Sequence, residues 1–431
     1  MKIKDFFVGL FWKFKDWQIV KKINDQPEIN FIYLPFNRGK IYVDFYIKIG
    51  ALTESKDQAG IGHLLEHYIA NQIKEKENVH LDISARINDN YIIFTLSPNL
   101  KDDFKLEIEH FISTILSPDF SQSEMFEYER QSIINETNIE QHNLIQTINR
   151  LIEKSRYVDE PNSRSFVDHL QTLSQLNMAD LEKYHQEFFL SKNLRIFISC
   201  HHWKKELIKL IKDKISIKKI SKKVAVFPEP KYSEFRIIIK ENQEINGHYS
   251  ILTFPGLNIK ANRKERIILS ILVKTLSSFS KNSAYDRIRK KGIYDFYVEN
   301  WIGIKKGDFA IRSYLSPIQL MEWLKLVPQF LREMKKGEIE QSILDTIKKN
   351  WLVDGLNNWR SNNRFDYLSG FILDDEKIIS WPEMEKIINS IGKKDLQAMA
   401  CKIFDKSQAN LIIYGQKPEL DLEEIEGFLK F

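Results

Sequence analysis

Asp180-Leu181-Glu182-Lys183-Tyr184-His185-Gln186-Glu187-Phe188-Phe189, followed by Leu194-Arg195-Ile196-Phe197-Ile198-Ser199, reads as a helix that hands the chain to a strand. The same order returns later: Asp395-Leu396 opens a helical stretch that reaches Phe404, and a strand follows over Ala409 to Tyr414. In both copies the aromatic stands eight residues beyond the leucine. Both strands lead into an amphipathic segment, Lys205 to Ile215 in one case and Leu422 to Leu429 in the other. From Asp180 to Asp395 the offset is 215 residues, half of the 431 in the chain. A repeat at that period divides the sequence into two related halves. The boundary falls where a lysine-rich passage, Lys218 to Lys223, runs into Phe227-Pro228-Glu229-Pro230, a composition suited to a solvated linker. The expected organisation is therefore residues 1–217, a linker at 218–231, and residues 232–431.

Within each half, strands and helices mix. Lys40 to Ile49, Tyr91 to Leu96, Phe235 to Ile239 and Tyr249 to Phe254 are rich in β-branched and aromatic residues. Asp103 to Leu116, Glu124 to Lys154 and Arg266 to Leu276 carry apolar residues at the 3.6 period. There is no regular βαβ rhythm and no glycine-rich phosphate loop. The predicted fold class is α+β: two homologous halves, each an antiparallel-rich sheet with helices packed on one face.

Composition narrows the function by exclusion. The 64 basic and 59 acidic side chains leave a formal charge of +5, too weak an excess to argue for nucleic acid. Two cysteines, Cys200 and Cys401, make neither a disulfide framework nor a cysteine-based zinc site. No apolar run approaches the roughly 20 residues needed to span a bilayer. At the amino terminus Phe6, Phe7, Leu10, Phe11 and Phe14 share one helical stripe, with lysines largely off it. Such a helix packs on the body of the protein or lies on a membrane surface. Lys13, Lys15 and Asp16 interrupt the stretch as they would not in a secretory signal, and cysteine is scarce. The expected location is the cytoplasm.

One segment carries chemistry. Residues 60 to 69 read Gly-Ile-Gly-His-Leu-Leu-Glu-His-Tyr-Ile. On a helix starting at Ile61, Leu64, Leu65, Tyr68, Ile69 and Ile73 form the apolar stripe, and His63, Glu66 and His67 project from the other side. Four-residue spacing stacks the two imidazoles one above the other, near enough to share an ion, with Glu66 beside them to handle a proton. This is H-x-x-E-H, the reverse order of the better-known zinc-protease pattern. A catalytic zinc site wants a third protein ligand and an open position. The expected helix Glu124 to Lys154, with Ser121 and Glu124 spaced as a capping box, supplies candidates in Glu129-Arg130-Gln131-Ser132-Ile133-Ile134-Asn135-Glu136. Glu129 and Glu136 are two turns apart on one face. One could ligate while the other orients a histidine, and periodicity does not say which.

His63-Leu64-Leu65-Glu66-His67, followed about 70 residues later by an E-R-x-x-I-I-x-E element, resembles the pitrilysin/insulinase metallopeptidases. The approach, Ile49-Gly50-Ala51 with Glu54 and then Ala59-Gly60-Ile61-Gly62, is similar as well. The resemblance implies that His63, His67 and Glu136 hold one Zn2+ per chain, that Glu66 is the general base, and that Glu129 supports a ligand. From His67 to Glu136 the spacing is 69 residues, a few fewer than is common in the family, and a trimmed loop around Lys74 to Asn78 accounts for it. In the second half the family's substrate-carbonyl pair, an arginine and a tyrosine around a Gly-Leu step, has candidates Arg289 with Tyr294 or Tyr297, and Arg287 with Tyr294.

The function so implied is zinc-dependent endopeptidase action on peptides or small unfolded proteins. The peptide would add as a strand at the sheet edge within Ala85 to Thr95. Adding 215 to His63, Glu66, His67 and Glu136 reaches Ser278, Lys281, Asn282 and Trp351, so the second half is expected to hold no zinc. The family's chamber is enclosed by four such halves, which implies a second chain, identical or homologous, in a homodimer or heterodimer. The alternative is a non-catalytic or partner-dependent subunit of a heterodimeric processing peptidase.

Overall fold

The structure, a computed structural model, describes residues 20–25, 27–34, 40–75, 82–98, 104–189, 192–201, 205–216, 224–361 and 363–431. The basic, aromatic amino-terminal stripe, the lysine run at 218–223 and most of the trimmed loop lie outside them.

Two sheets organise the chain. The first contains β1 (Val20–Asp25), β2 (Glu28–Tyr33), β3 (Ile41–Ile47), β4 (Ile83–Ile87), β5 (Ile92–Leu96) and β6 (Leu194–Cys200), in the order β1-β2-β6-β3-β5-β4. The second contains β7 (Arg236–Glu241), β8 (His248–Pro255), β9 (Tyr297–Ile302), β10 (Gly307–Leu315) and β11 (Asn410–Gly415), in the order β7-β11-β8-β10-β9. Each sheet has one parallel pairing, β2 with β6 and β7 with β11, and is otherwise antiparallel. Strand for strand, β2-β6-β3-β5-β4 is repeated by β7-β11-β8-β10-β9, and β1 is the addition in the first. The fold is α+β in two homologous halves.

The helices used below are α1 (Ile61–Lys74), α2 (Phe104–Leu116), α3 (Ser123–Glu140), α4 (Leu144–Arg156), α5 (Met178–Phe188), α6 (Lys205–Ser216), α7 (Arg263–Leu276), α8 (Pro317–Lys336), α9 (Gln341–Arg360), α10 (Arg364–Leu373) and α11 (Lys393–Ile403). The repeat signature has a local cause. Asp180 and Asp395 each sit at the third position of a helix, α5 or α11, and accept the backbone N–H of the N-cap residue at 3.0 Å and 2.8 Å. The leucine that follows each is fully buried, as are Phe189 and Phe404.

By its contacts the chain divides into two compact units. One takes the described residues up to Gln141, then Phe166–Phe227 and Leu356–Ser380; the other takes His142–Ser165, Pro228–Gly355 and Trp381–Phe431. The units thus differ from the expected continuous stretches 1–217 and 232–431, because each half lends a segment to the other's unit. Packing explains the loan. A sheet has two faces, and helices that follow its own strands cover only one. In the first unit Ile41, Val43, Phe45 and Ile47 of β3 join a core with α1, α2, α5 and α6. Tyr46 and Phe197 face the other way, where Phe365 of α10 meets Phe197 edge-on at 5.8 Å. In the second unit Phe254 and Phe309 pack on Phe404. Ile251, Ala310, Ile412 and Tyr414 meet Ile148 of α4 instead, with Leu144, Leu151 and Ile152 alongside.

The expected single helix over Glu124 to Lys154 is two, α3 and α4. Asn143 ends the continuity: its side chain accepts the N–H groups of Ile145 and Gln146 at 2.9 Å and 3.4 Å and caps α4. The capping box at Ser121 and Glu124 does not form. Ser121 donates its hydroxyl to Asp119 at 2.6 Å, and Gln122 is the N-cap of α3. The 215-residue offset holds for β6 and β11 but shrinks toward the start of each half, where α1 begins at Ile61 and its counterpart α7 at Arg263. Ser278, Lys281 and Asn282 therefore lie past α7 and are not the counterparts of the motif. Helix α7 itself contains no histidine. Among the described residues no helix is long and apolar enough to cross a membrane.

Candidate metal centre

Helix α1 starts under tight control. Gly60, its N-cap, has φ of 89°, a left-handed conformation that glycine adopts without strain. No side chain of the cap bonds the first turn. The buried carboxylate of Glu54 does so from outside, accepting the N–H of Gly60 at 2.8 Å and of Gly62 at 2.9 Å. A Cβ at position 62 would stand 2.8 Å from Glu54 Oε1, so this glycine leaves room for the carboxylate. Charge-assisted bonds of this kind are worth about 1.5–3 kcal/mol each, and a negative charge suits a helix N-terminus.

From that start Ile61, Leu64, Leu65, Tyr68, Ile69 and Ile73 are all buried in the first unit's core, as the apolar stripe requires. His63, Glu66 and His67 face α3. They are not a solvated face: His63 is 7% exposed and Glu66 6%. The imidazoles lie with ring centroids 4.7 Å apart and planes at 89°. Across from them on α3, Glu136 Oε2 stands 4.0 Å from His63 Nε2 and 3.7 Å from His67 Nε2. Glu129 takes a different place. Its Oε2 meets His67 Nδ1 at 3.1 Å, the nitrogen turned away from the cluster, and its Oε1 accepts from Asn71 at 2.6 Å. Periodicity left the two acids interchangeable; geometry separates them. Arg130, between them in sequence, bridges α3 to the carbonyl of Leu176 at 3.2 Å.

One atom each from His63, His67 and Glu136 can be chosen so that all lie within 4.8 Å of one another. Two ligands at about 2.0–2.1 Å from one tetrahedral ion stand about 3.3 Å apart, so small rotations close the set around zinc. Donor chemistry agrees, with two imidazoles and one carboxylate. Glu66 Oε2 also faces both Nε2 atoms, at 4.0 Å and 3.9 Å, but is buried, whereas the side chain of Glu136 is 47% exposed.

Electrostatics sort the groups further. Burial, reinforced by the nearby His67 and His169, drives His63 down to about 3, so it is neutral and offers a lone pair. For His67 burial also works against charge, but the bond to Glu129 and the surrounding carboxylates outweigh it and the net shift is upward. Burial lifts Glu66 to about 7; His67 pulls it down, and the Glu136 and Glu129 carboxylates push it up. A carboxyl near neutrality can both accept and return a proton.

The second-half candidates separate likewise. Arg287 is engaged, with both terminal nitrogens on Glu333 at 2.6 Å and 3.1 Å and its plane over Phe330. Arg289 stacks over Tyr294 at 5.6 Å, and that tyrosine is 65% exposed. Tyr297 of β9, also exposed, lies under Arg312 of β10. Of the expected edge at Ala85 to Thr95, Ala85–Ile87 lie on β4, which ends the sheet order, while β5 is paired on both sides, by β3 and β4.

Residues 175–350 match the model of a domain described as the Peptidase M16 inactive domain; the match does not reach His63, His67 or Glu136. The zinc protease PqqE of Helicobacter pylori (strain ATCC 700392 / 26695) is 23% identical over 396 residues, 87% of each chain. A crystal structure of a protease from Helicobacter pylori superposes with a TM-score of 0.78 at 18% identity, over 92% of this chain and 98% of that one. The first half of the periplasmic protease PqqL from Escherichia coli gives 0.78 at 15% identity, covering 95% of both chains. This chain spans 49% of the complete PqqL chain. These likenesses show the fold.

Proposed function

We propose that this chain is a member of the M16, insulinase-like metallopeptidases and acts as a zinc-dependent endopeptidase on peptides or small unfolded proteins. The observation that carries the reading is the convergence of His63 Nε2, His67 Nε2 and Glu136 Oε2 on one point. Zinc held there supplies Lewis acidity, which acidifies water and polarises a peptide carbonyl. The chain's own groups do the rest. Neutral His63 and Glu136 offer electron pairs to the ion. Glu129 holds the proton of His67 on Nδ1, which leaves Nε2 free. Glu66 accepts the proton of the attacking water at its carboxylate and returns it to the leaving amine. The edge of β4 offers unpaired main-chain groups to an extended substrate, which gives affinity with little side-chain selectivity. Arg289 and Tyr294, exposed together, are the proposed carbonyl-binding pair, with Tyr297 as the alternative to Tyr294.

A second reading, a subunit that is silent or needs a partner, is favoured by the match to a domain described as inactive. The E. coli relative carries about two such lengths in one chain, which supports assembly of this one with an identical or homologous second chain. We place the protein in the cytoplasm because cysteine is scarce, with two in the chain; cell fractionation tests this, since the similar E. coli protease PqqL is periplasmic.

Metal analysis of the purified chain tests the reading. About one zinc per chain is expected, and none in Glu136→Gln or His67→Ala. A wild-type chain free of zinc after incubation with the ion would contradict it.

A further inference from the structure

Helix α1 carries a further polar residue beside His63, Glu66 and His67. His63, His67 and Asn71 follow at four-residue spacing, so Asn71 stands one turn beyond the second histidine. Its Nδ2 donates to Glu129 Oε1 at 2.6 Å, while Oε2 of the same carboxylate meets His67 Nδ1 at 3.1 Å. Glu129 is only 6% exposed, so water reaches little of it. The terminal torsion of a glutamate is soft, and a carboxylate held through one oxygen can turn. Held through both, by two residues of one rigid helix, it cannot turn without breaking a bond. The consequence reaches the metal. Neutral imidazole carries one proton, and the partner of Nδ1 decides whether that proton stays on Nδ1 or moves to Nε2, the nitrogen that must remain bare.

We propose that Asn71 is a positioning residue of the metal centre: it locks the Glu129 carboxylate so that His67 keeps its proton on Nδ1 and presents Nε2 to the ion. The role rests on the zinc reading above. A purely structural tie between α1 and α3 is the competing account. Asn71 borders a polar cleft of about 900 Å³ with Glu75, Gln122 and Glu124, so a substitution there meets space and not a packed core.

The test uses the full chain stripped of metal. Zinc affinity, by competition with a chromophoric chelator, is compared for wild type, Asn71→Leu, Glu129→Gln and the double variant. Asn71→Leu should weaken zinc by about 10-fold, the low end for an outer partner of a ligating histidine. In the Glu129→Gln background it should cost almost nothing more, because it acts only through Glu129. An unchanged affinity in Asn71→Leu, or a full additional loss in the double variant, overturns the proposal. A second readout needs no metal. With 15N-labelled histidine at alkaline pH, wild-type His67 should show a bare Nε2, and Asn71→Leu should shift toward the other tautomer. An unchanged tautomer population, even with a lowered Tm, leaves only the structural tie and overturns the role. If wild type binds no zinc, the proposed function fails, and the tautomer measurement still decides the part played by Asn71.

Discussion

Glu66 and Glu136 stand at nearly equal distances from the same two nitrogens, so burial and not distance distinguishes them. The buried Glu66 carboxyl is lifted toward neutrality, which suits a proton. The H-x-x-E-H spacing was readable in the sequence because a helix turns 100° per residue whatever surrounds it. Which of Glu129 and Glu136 faces the Nε2 atoms was not, since two acids seven apart share a face. Nor was the engagement of Arg287 by Glu333, which depends on a helix 46 residues away. Another buried acid allows a prediction. Asp44 is 5% exposed, on the face of β3 away from the main core, and accepts the Thr95 hydroxyl at 2.6 Å. Burial lifts it to about 7, against the pull of Thr95 and Arg86, with Asp366 adding to the rise. Its folded value exceeds its unfolded one, so the folded state binds the extra proton between about pH 4 and 7. This stability is complete below that window and is lost as pH rises through it. Asp44→Asn should match wild type near the acid end in urea unfolding and exceed it above neutrality, by at most about 4 kcal/mol. A pH-independent difference would contradict the assignment.

At the scale of elements, α1 is placed by a residue outside it and α4 by one at its start. Glu54 lies before the helix it caps, at a spacing no N-cap pattern covers, so its task is hidden in the sequence. The break between α3 and α4 was hidden for a different reason. Neither glycine nor proline marks it, and a continuous 3.6 period runs across Gln141, His142 and Asn143. Only the tertiary contacts of Ile148 with Ile251 and Ile412 show why the helix must stop. Asn143→Ala should remove the side-chain bonds to Ile145 and Gln146 and lower stability by about 1 kcal/mol in chemical unfolding, with zinc affinity untouched. A variant as stable as wild type would show that packing alone holds the start of α4.

At the scale of the whole molecule, the repeat was legible because Asp180 and Asp395 do the same capping work, followed by the same buried leucine. Its uneven offset was not, because the segments before α1 and α7 differ in length without any mark in composition. The exchange of helices between units was also invisible: Ile148 and Phe365 read as ordinary apolar positions, and nothing local states which sheet they cover. The two halves share a sheet order but not the histidine pair: α7 holds no histidine where α1 holds two. The candidate metal ligands thus all lie in the first unit. The most direct measurement is zinc content and cleavage of a quenched peptide by Glu66→Gln beside wild type, each alone and mixed with any homologous partner chain. The account predicts one zinc per chain in both proteins and a loss of turnover of about 100-fold or more in the variant. Cleavage at the wild-type rate by the zinc-loaded variant would contradict it.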